Sequence, residues 1–250
     1  MTAHTPRFNQ KVALVTGGSR GIGEAIVRRL SAEGAAVAFT YSSSADKAQA
    51  LVGLIESKGG KALAIQADSA DVVAIERAVA TTVERFGALN ILVNNAGILL
   101  MGTVDTFSLE DFDRMFAVNV RATFAAAKAC SAVMHKGDRI ITVGSVVAQR
   151  SGFPGSSVYS MTKSAIAGMI RGLAIDFAPR GITVNNVQPG PTSTDMNPAD
   201  GPHADMIKSL IPLGRVGTAD DVAGMVAYLA SEDAAFVTGA SMTIDGGYLA

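Results

Sequence analysis

"KVALVTGGSRGIGEAIVRRLSAEG", residues 11–34, holds three signals in one stretch. Val12 to Val15 form a short, continuously apolar run, as expected for a strand covered on both faces. "TGGSRGIG" (16–23) is a glycine-rich turn, and "GIGEAIVRRLSAEG" reads as a helix stopped by Gly34. A strand that enters a helix through glycines permits a tight turn, close approach of a pyrophosphate and close packing of helix on strand. The helix N-terminus adds free N–H groups and the positive end of the helix dipole. The spacing Gly17, Gly21, Gly23 differs from G-x-G-x-x-G. Such turns also end strands for purely structural reasons, but the position at the first strand–helix junction favours nucleotide binding.

Outward from this stretch the same rhythm repeats. "AAVAFTY" (35–41), "KALAIQA" (61–67), "LNILVNNAG" (89–97), "DRIITVGS" (138–145), "ITVNNVQPG" (182–190) and "SMTIDGG" (241–247) read as strands. Between them lie predicted helices over 45–59, up to Phe86, near 108–135, near 157–178 and near 219–231. Regular β-α alternation without repeat or linker predicts one α/β domain, residues 1–250, built on a doubly wound, Rossmann-type parallel sheet. Residues 191–217, with four prolines, break the rhythm and are too long for an ordinary connection. Loops of that length are usually lids or binding loops.

Charged residues are 17% of the chain, the net charge is −1, and no long run carries one sign, which argues against nucleic-acid and membrane-surface partners. Cys130 is the single cysteine, so no internal disulfide forms, and with His4, His135 and His203 it gives no metal-ligand spacing. The first residues lack an apolar leader and no run approaches 18 apolar residues, so a cytoplasmic protein is expected.

"YSMTK" (159–163) places a phenol and an ammonium at i and i+4, on one helix face. The pair reads as a surface Tyr packed on a Lys stem or as a phenol acidified by a cation. The rest of the chain favours the second. T-G-x-x-x-G-x-G at 16–23, N-N-A-G at 94–97, Y-x-x-x-K at 159–163 and P-G at 189–190 occur in order on the expected elements, joined by Ser145 and Asn119. In these motifs the chain resembles the short-chain dehydrogenase/reductase family over essentially its whole length. Within it, the chain is similar to bacterial ketoreductases of the 3-oxoacyl-carrier-protein reductase type. "GPTSTDMNPADGP" (190–202) also resembles a small oxidoreductase subgroup with a cyclic-di-GMP-binding member.

A free Tyr has a pKa near 10, and a neighbouring ammonium or an oxidised nicotinamide favours the phenolate. Tyr159 is therefore the expected proton donor in carbonyl reduction and acceptor in oxidation. Lys163 is expected to lower the Tyr159 pKa and, by the resemblance, to hold the ribose hydroxyls. Ser145, at a strand's C-terminal end, is placed to bond the substrate oxygen, and Asn119 resembles the family residue that holds a water linking Lys163 to solvent. The resemblance also implies cofactor contacts from Gly17, Ser19, Arg20, Gly21, Ile22, Gly23, Tyr41, Ser42, Ser43, Asp68, Ser69, Asn95, Ala96, Gly97, Pro189, Gly190 and Thr192. Some of these keep a second reading: Asp68 as an adenine contact or as the cap of the next helix, Arg20 as a phosphate partner or a solvated turn residue. Asn94 also reads as a pin between neighbouring strands.

NAD-specific sites usually carry an acidic residue at the end of the second strand. Here Ser42, Ser43 and Ser44 stand there, with Arg20 in the glycine turn, which suits the 2′-phosphate of NADP(H). The expected activity is NADPH-dependent reduction of a small or medium apolar ketone. The alternatives are a 3-oxoacyl thioester reductase, an alcohol dehydrogenase, or a cyclic-dinucleotide sensor on the same fold. Candidate pocket segments are Ile98–Met101, "RSGFPGSSV" (150–158) and the lid with Met196, Met206, Ile207 and Leu210. "SAIAGMIRGLAIDFA" (164–178) is apolar nearly all round, with Ala165, Ala167, Gly168 and Gly172, which implies burial on more than one side. The resemblance implies a homotetramer.

Overall fold

The computed structural model describes residues 6–195 and 204–250. Met196 and the middle of the "GPTSTDMNPADGP" resemblance lie outside the described residues. Seven strands form one sheet: β1 (Val12–Val15), β2 (Ala36–Tyr41), β3 (Lys61–Gln66), β4 (Ile91–Asn94), β5 (Arg139–Val143), β6 (Thr183–Pro189) and β7 (Ser241–Ile244). Their order is β3-β2-β1-β4-β5-β6-β7 and every pairing is parallel.

The apolar strand runs have a simple cause. Successive side chains point to opposite faces, and both faces are covered. Ala13 and Val15 of β1 join Ile91, Val93, Ile141 and Val143 in a core with α1 (Gly21–Ala32), α2 (Ala45–Glu56) and α8 (Ala219–Ala230). Leu14, Leu92 and Ile140 face the other way. They pack with residues of α3 (Val72–Phe86), α5 (Ala122–Cys130) and α6 (Ser157–Phe177). Buried Asn185 of β6 is tied to the loop before β7: it donates to Val237 O at 2.7 Å and accepts from Ala240 N at 3.1 Å.

The helix expected near 108–135 is interrupted. α4 (Leu109–Phe116) passes through a π-helical turn, Ala117–Arg121, into α5, which ends at Cys130. Such single-turn insertions cluster at functional sites, and this one carries Asn119. Residues 191–217 include α7 (Ala204–Ser209). The two ends of the segment are pinned to each other: Ser193 N donates to Gly217 O at 2.8 Å and Gly217 N to Pro191 O at 2.9 Å. Strand order reverses between β1 and β4, so the crevice beyond their C-terminal ends is where an open α/β sheet binds its ligand.

Candidate active site

The glycine turn is clamped from both neighbouring strands. Thr16, which follows β1, accepts at Oγ1 from Asn95 N (3.0 Å) and Ala96 N (3.1 Å), and Asn95 Nδ2 donates to Thr16 O and Gly17 O, each at 3.0 Å. From β2, Thr40 Oγ1 accepts from Gly17 N at 3.0 Å. Gly17 holds φ +65°, a conformation that glycine adopts without strain. A Cβ on Gly23 would lie 2.1 Å from Gly17 O. The α1 cap residue, Arg20, makes no side-chain cap bond to the helix. An open helix N-terminus against a glycine-rich turn fits a pyrophosphate. Ser19 is buried, and Ile22 is half-buried in the first turn of α1. Thr16 and Thr40 are not among the residues the sequence singles out, although Thr16 heads the glycine motif itself.

Along the crevice, Tyr41 ends β2 and exposed Ser42 and Ser43 follow it. Asp68, after β3, is exposed, and its carboxylate accepts from Ala70 N at 2.9 Å. It does not cap the next helix: Asp71 does, accepting from Val73 N at 2.9 Å. Ser69 lies half-buried between them. Asn94 donates to Thr142 Oγ1 at 3.5 Å and so pins β4 to β5, while Asn95 turns to the glycine loop. On the other side of the crevice, Gly190 follows Pro189 and lies against Asp245, and Thr192 Oγ1 donates to Gly190 O at 2.9 Å. Thr194, not singled out from sequence, sits 3.7 Å from where a Cβ on Gly21 would be. A cleft of about 770 Å³ between α1 and the start of α8 is lined by Gly21, Arg28, Thr194, Asp195 and Thr218. It adjoins the glycine turn, away from the Tyr159 hydroxyl.

The four residues of the catalytic expectation converge beyond β5. Ser145 stands just past the strand and accepts at Oγ from Val147 N at 3.3 Å, and Tyr159 stands in the first turn of α6. One turn on, Lys163 is 5% exposed and its Nζ donates to Val143 O at 3.0 Å. Gly97 stands beside that ammonium: a Cβ there would lie 3.7 Å from Nζ. Asn119 is 1% exposed. Its Oδ1 accepts from Ile98 N at 2.8 Å, and its Nδ2 donates to Ile98 O at 3.0 Å and to Thr162 Oγ1 at 3.1 Å. Thr162 donates in turn to Tyr159 O at 2.8 Å. The π turn thus ties the loop after β4 to the turn of α6 that carries Tyr159.

One electrostatic expectation is corrected. Lys163 Nζ lies 5.6 Å from the centre of the Tyr159 ring, on a backbone carbonyl. Burial pushes the Tyr159 phenol up to about 12, with Ser145 opposing it, rather than a cation pulling it down. Burial also brings Lys163 down to about 8. In the cofactor-free protein the phenol is therefore protonated at neutral pH.

The sign of the resulting pH dependence follows from proton counting. Below about pH 8, Lys163 is charged in both states and its burial opposes folding. Between about 8 and its ordinary value of 10.5 the unfolded chain holds a proton the folded chain has lost, so stability rises with pH. Tyr159 acts oppositely between 10 and about 12, where the unfolded phenol ionises first. Each pH unit between two such values is worth about 1.4 kcal/mol. Lys163→Met should therefore be more stable than the wild type by roughly 3–4 kcal/mol at pH 7, and the margin should shrink by pH 10. Denaturant midpoints at four pH values measure this, and a margin independent of pH would refute it.

Of the candidate pocket segments, Ile98 to Leu100 are half-buried, and Met101, Phe153, Met206 and Leu210 are exposed apolar residues. The two nearby arginines are engaged: Arg215 forms a two-pronged pair with Asp221 at 2.7 and 3.0 Å, and Arg150 stacks 5.6 Å from the Tyr248 ring. Among the described residues no cluster of His, Cys, Asp and Glu could hold a metal ion, and no helix is long and apolar enough to cross a membrane.

A family profile described as enoyl-(acyl carrier protein) reductase matches residues 17–249. The cyclic-di-GMP-binding biofilm dispersal mediator protein of Escherichia coli K12 is 48% identical over 96% of this chain and 98% of its own. Two solved structures superpose with a TM-score of 0.96, covering 98% of this chain and 100% of theirs. They are a short-chain dehydrogenase/reductase from Serratia marcescens, 53% identical, and a short chain dehydrogenase from Burkholderia cenocepacia in complex with NADP, 51% identical. Matched from the glycine turn to its last residues, the chain belongs to the short-chain dehydrogenase/reductase family and is an NADP(H)-dependent oxidoreductase.

Proposed function

We propose that the protein reduces a small or medium apolar ketone to a secondary alcohol, with Tyr159 as proton donor. The observation that carries this reading is the convergence beyond β5 of Ser145, Tyr159 and buried Lys163, whose Nζ donates to Val143 O at 3.0 Å and lies 5.6 Å from the Tyr159 ring centre. A protonated phenol donates in reduction and its phenolate accepts in alcohol oxidation, so rates in both directions test the dehydrogenase alternative. The nicotinamide, when bound, supplies the hydride. Ser145 orients the carbonyl oxygen toward Tyr159, Lys163 holds the ribose beside Gly97, and Asn119 fixes the loop and the α6 turn that position them. Residues 191–217 serve as the lid, closing from the ends joined at Ser193 and Gly217.

The substrate class rests on the apolar character of the candidate pocket segments and on two arginines already engaged, since an acidic substrate calls for an Arg clamp. The test is kcat/KM over cyclic ketones, aryl ketones, β-ketoesters and a β-ketoacyl thioester. A thioester preference above tenfold, about 1.4 kcal/mol of transition-state binding, would overturn the assignment in favour of acyl-carrier chemistry. The Escherichia coli relative supports a second reading, binding of cyclic-di-GMP. Equilibrium binding of that dinucleotide, together with no turnover on any ketone, would establish it instead.

The outer face of α6 supports a homotetramer. Met161, Gly168, Gly172 and Ile175 form an exposed stripe at helical spacing, and a Cβ on Gly168 or Gly172 would meet nothing within 4 Å. A second copy can cover such a face closely. Light scattering at micromolar concentration should give four chains, and a monomer would refute the assembly.

A further inference from the structure

Three charged residues far apart in sequence meet beside the glycine turn. Lys47 Nζ in α2 donates to Asp195 Oδ2 at 3.4 Å, and Arg20 Nη1 at the α1 cap lies 3.8 Å from the same oxygen. All three side chains are more than half exposed, and Asp195 borders the open cleft beside α1. The exposed hydroxyls of Ser42 and Ser43 follow β2, just before the helix that carries Lys47.

We infer that Asp195 is a cofactor-discriminating residue, an internal anion that occupies Arg20 and Lys47 until the 2′-phosphate of NADP(H) displaces it. The inference rests on the reading that this corner of the site receives that phosphate. A phosphate carries about −1.5 to −2 charge and binds Arg in a fork geometry, so it outcompetes a single carboxylate for the same cations. NADH presents only a 2′-hydroxyl and leaves the Asp195 pairs intact. Binding of NADP(H) then includes breaking these pairs and setting two like charges near one another. Asp195 lowers the preference for the phosphorylated cofactor below what Arg20 and Lys47 alone would give. The exchange also reaches the lid: Asp195 lies two residues after Ser193, whose N–H is held by Gly217.

The experiment measures equilibrium affinities for 2′,5′-ADP, which carries the 2′-phosphate without a nicotinamide, and for 5′-AMP. The wild type, Asp195→Asn and Asp195→Glu are compared at low and high salt. Exposed pairs of this kind are individually weak, so Asp195→Asn should bind 2′,5′-ADP roughly three- to tenfold more tightly at low salt. Affinity for 5′-AMP should be unchanged, the gain should fade as salt screens the charges, and Asp195→Glu should stay near the wild type. If the wild type binds both nucleotides equally, the phosphate reading of this corner fails and the inference with it. If the wild type discriminates but Asp195→Asn leaves 2′,5′-ADP affinity unchanged or weaker, the inference alone is overturned.

Discussion

Tyr159→Phe is expected to lower ketone-reducing turnover by about 10²- to 10⁴-fold, the usual loss when a positioned general acid is removed, while NADPH affinity stays within about a factor of two. The substitution removes one oxygen and keeps the ring. Ser145 Oγ still accepts from Val147 N without that oxygen. The backbone ties that hold the α6 turn, from Thr162 Oγ1 to Tyr159 O and from Asn119 to Thr162, do not involve the phenol. Lys163 keeps its bond to Val143 O. Structure and cofactor site should thus persist while the proton source is lost, so kcat falls and the NADPH dissociation constant does not. Near wild-type turnover in this variant would remove Tyr159 from the mechanism; loss of NADPH binding would show that the hydroxyl holds the cofactor rather than only supplying the proton.

Much of the fold is legible in the sequence because it depends on local patterns. Strands buried on both faces must be apolar throughout, and the glycines between β1 and α1 answer a local demand for close approach. Tyr159 and Lys163 are legible together because i, i+4 spacing on a helix fixes their neighbourhood. Other features depend on contacts the sequence does not order. The π turn adds one residue to a helical repeat, and the run from Met115 to Phe124 keeps an uninterrupted helical composition, so only the bonds from Asn119 to Ile98 and Thr162 reveal it. Asp68 and Asp71 are equally plausible caps from composition, and three residues of chain geometry decide for Asp71. The protonation of Tyr159 and Lys163 turns on burial by the assembled core, which opposes the expectation drawn from their spacing. The meeting of Lys47 with Asp195 spans 148 residues and has no local signature.

Gly23→Ala should weaken NADPH binding by at least about 100-fold, roughly 2.7 kcal/mol, with the fold retained. The added Cβ would lie 2.1 Å from Gly17 O, 2.5 Å from Asn95 Nδ2 and 3.0 Å from Gly17 C. Two of these atoms are backbone, and the third belongs to a side chain already bonded to Thr16 O and Gly17 O. No flexible side-chain end can give way, so either the start of α1 moves off the sheet or the glycine turn moves off Asn95. Both displace the N–H groups that a pyrophosphate needs. The strain is confined to the crevice: Gly23 neighbours belong to the turn and to the residue after β4, while the two apolar cores lie deeper along the strands. Overpacking of this kind typically costs about 1–3 kcal/mol, which a domain of this size survives. Gly53→Ala in α2 is the matched control, since a Cβ there meets nothing within 4 Å. It should raise stability by about 0.5–1 kcal/mol through helix propensity and leave NADPH affinity untouched. Calorimetric titration of NADPH against both variants separates the two effects. An affinity in Gly23→Ala within tenfold of the wild type would mean that the cofactor does not approach this turn closely.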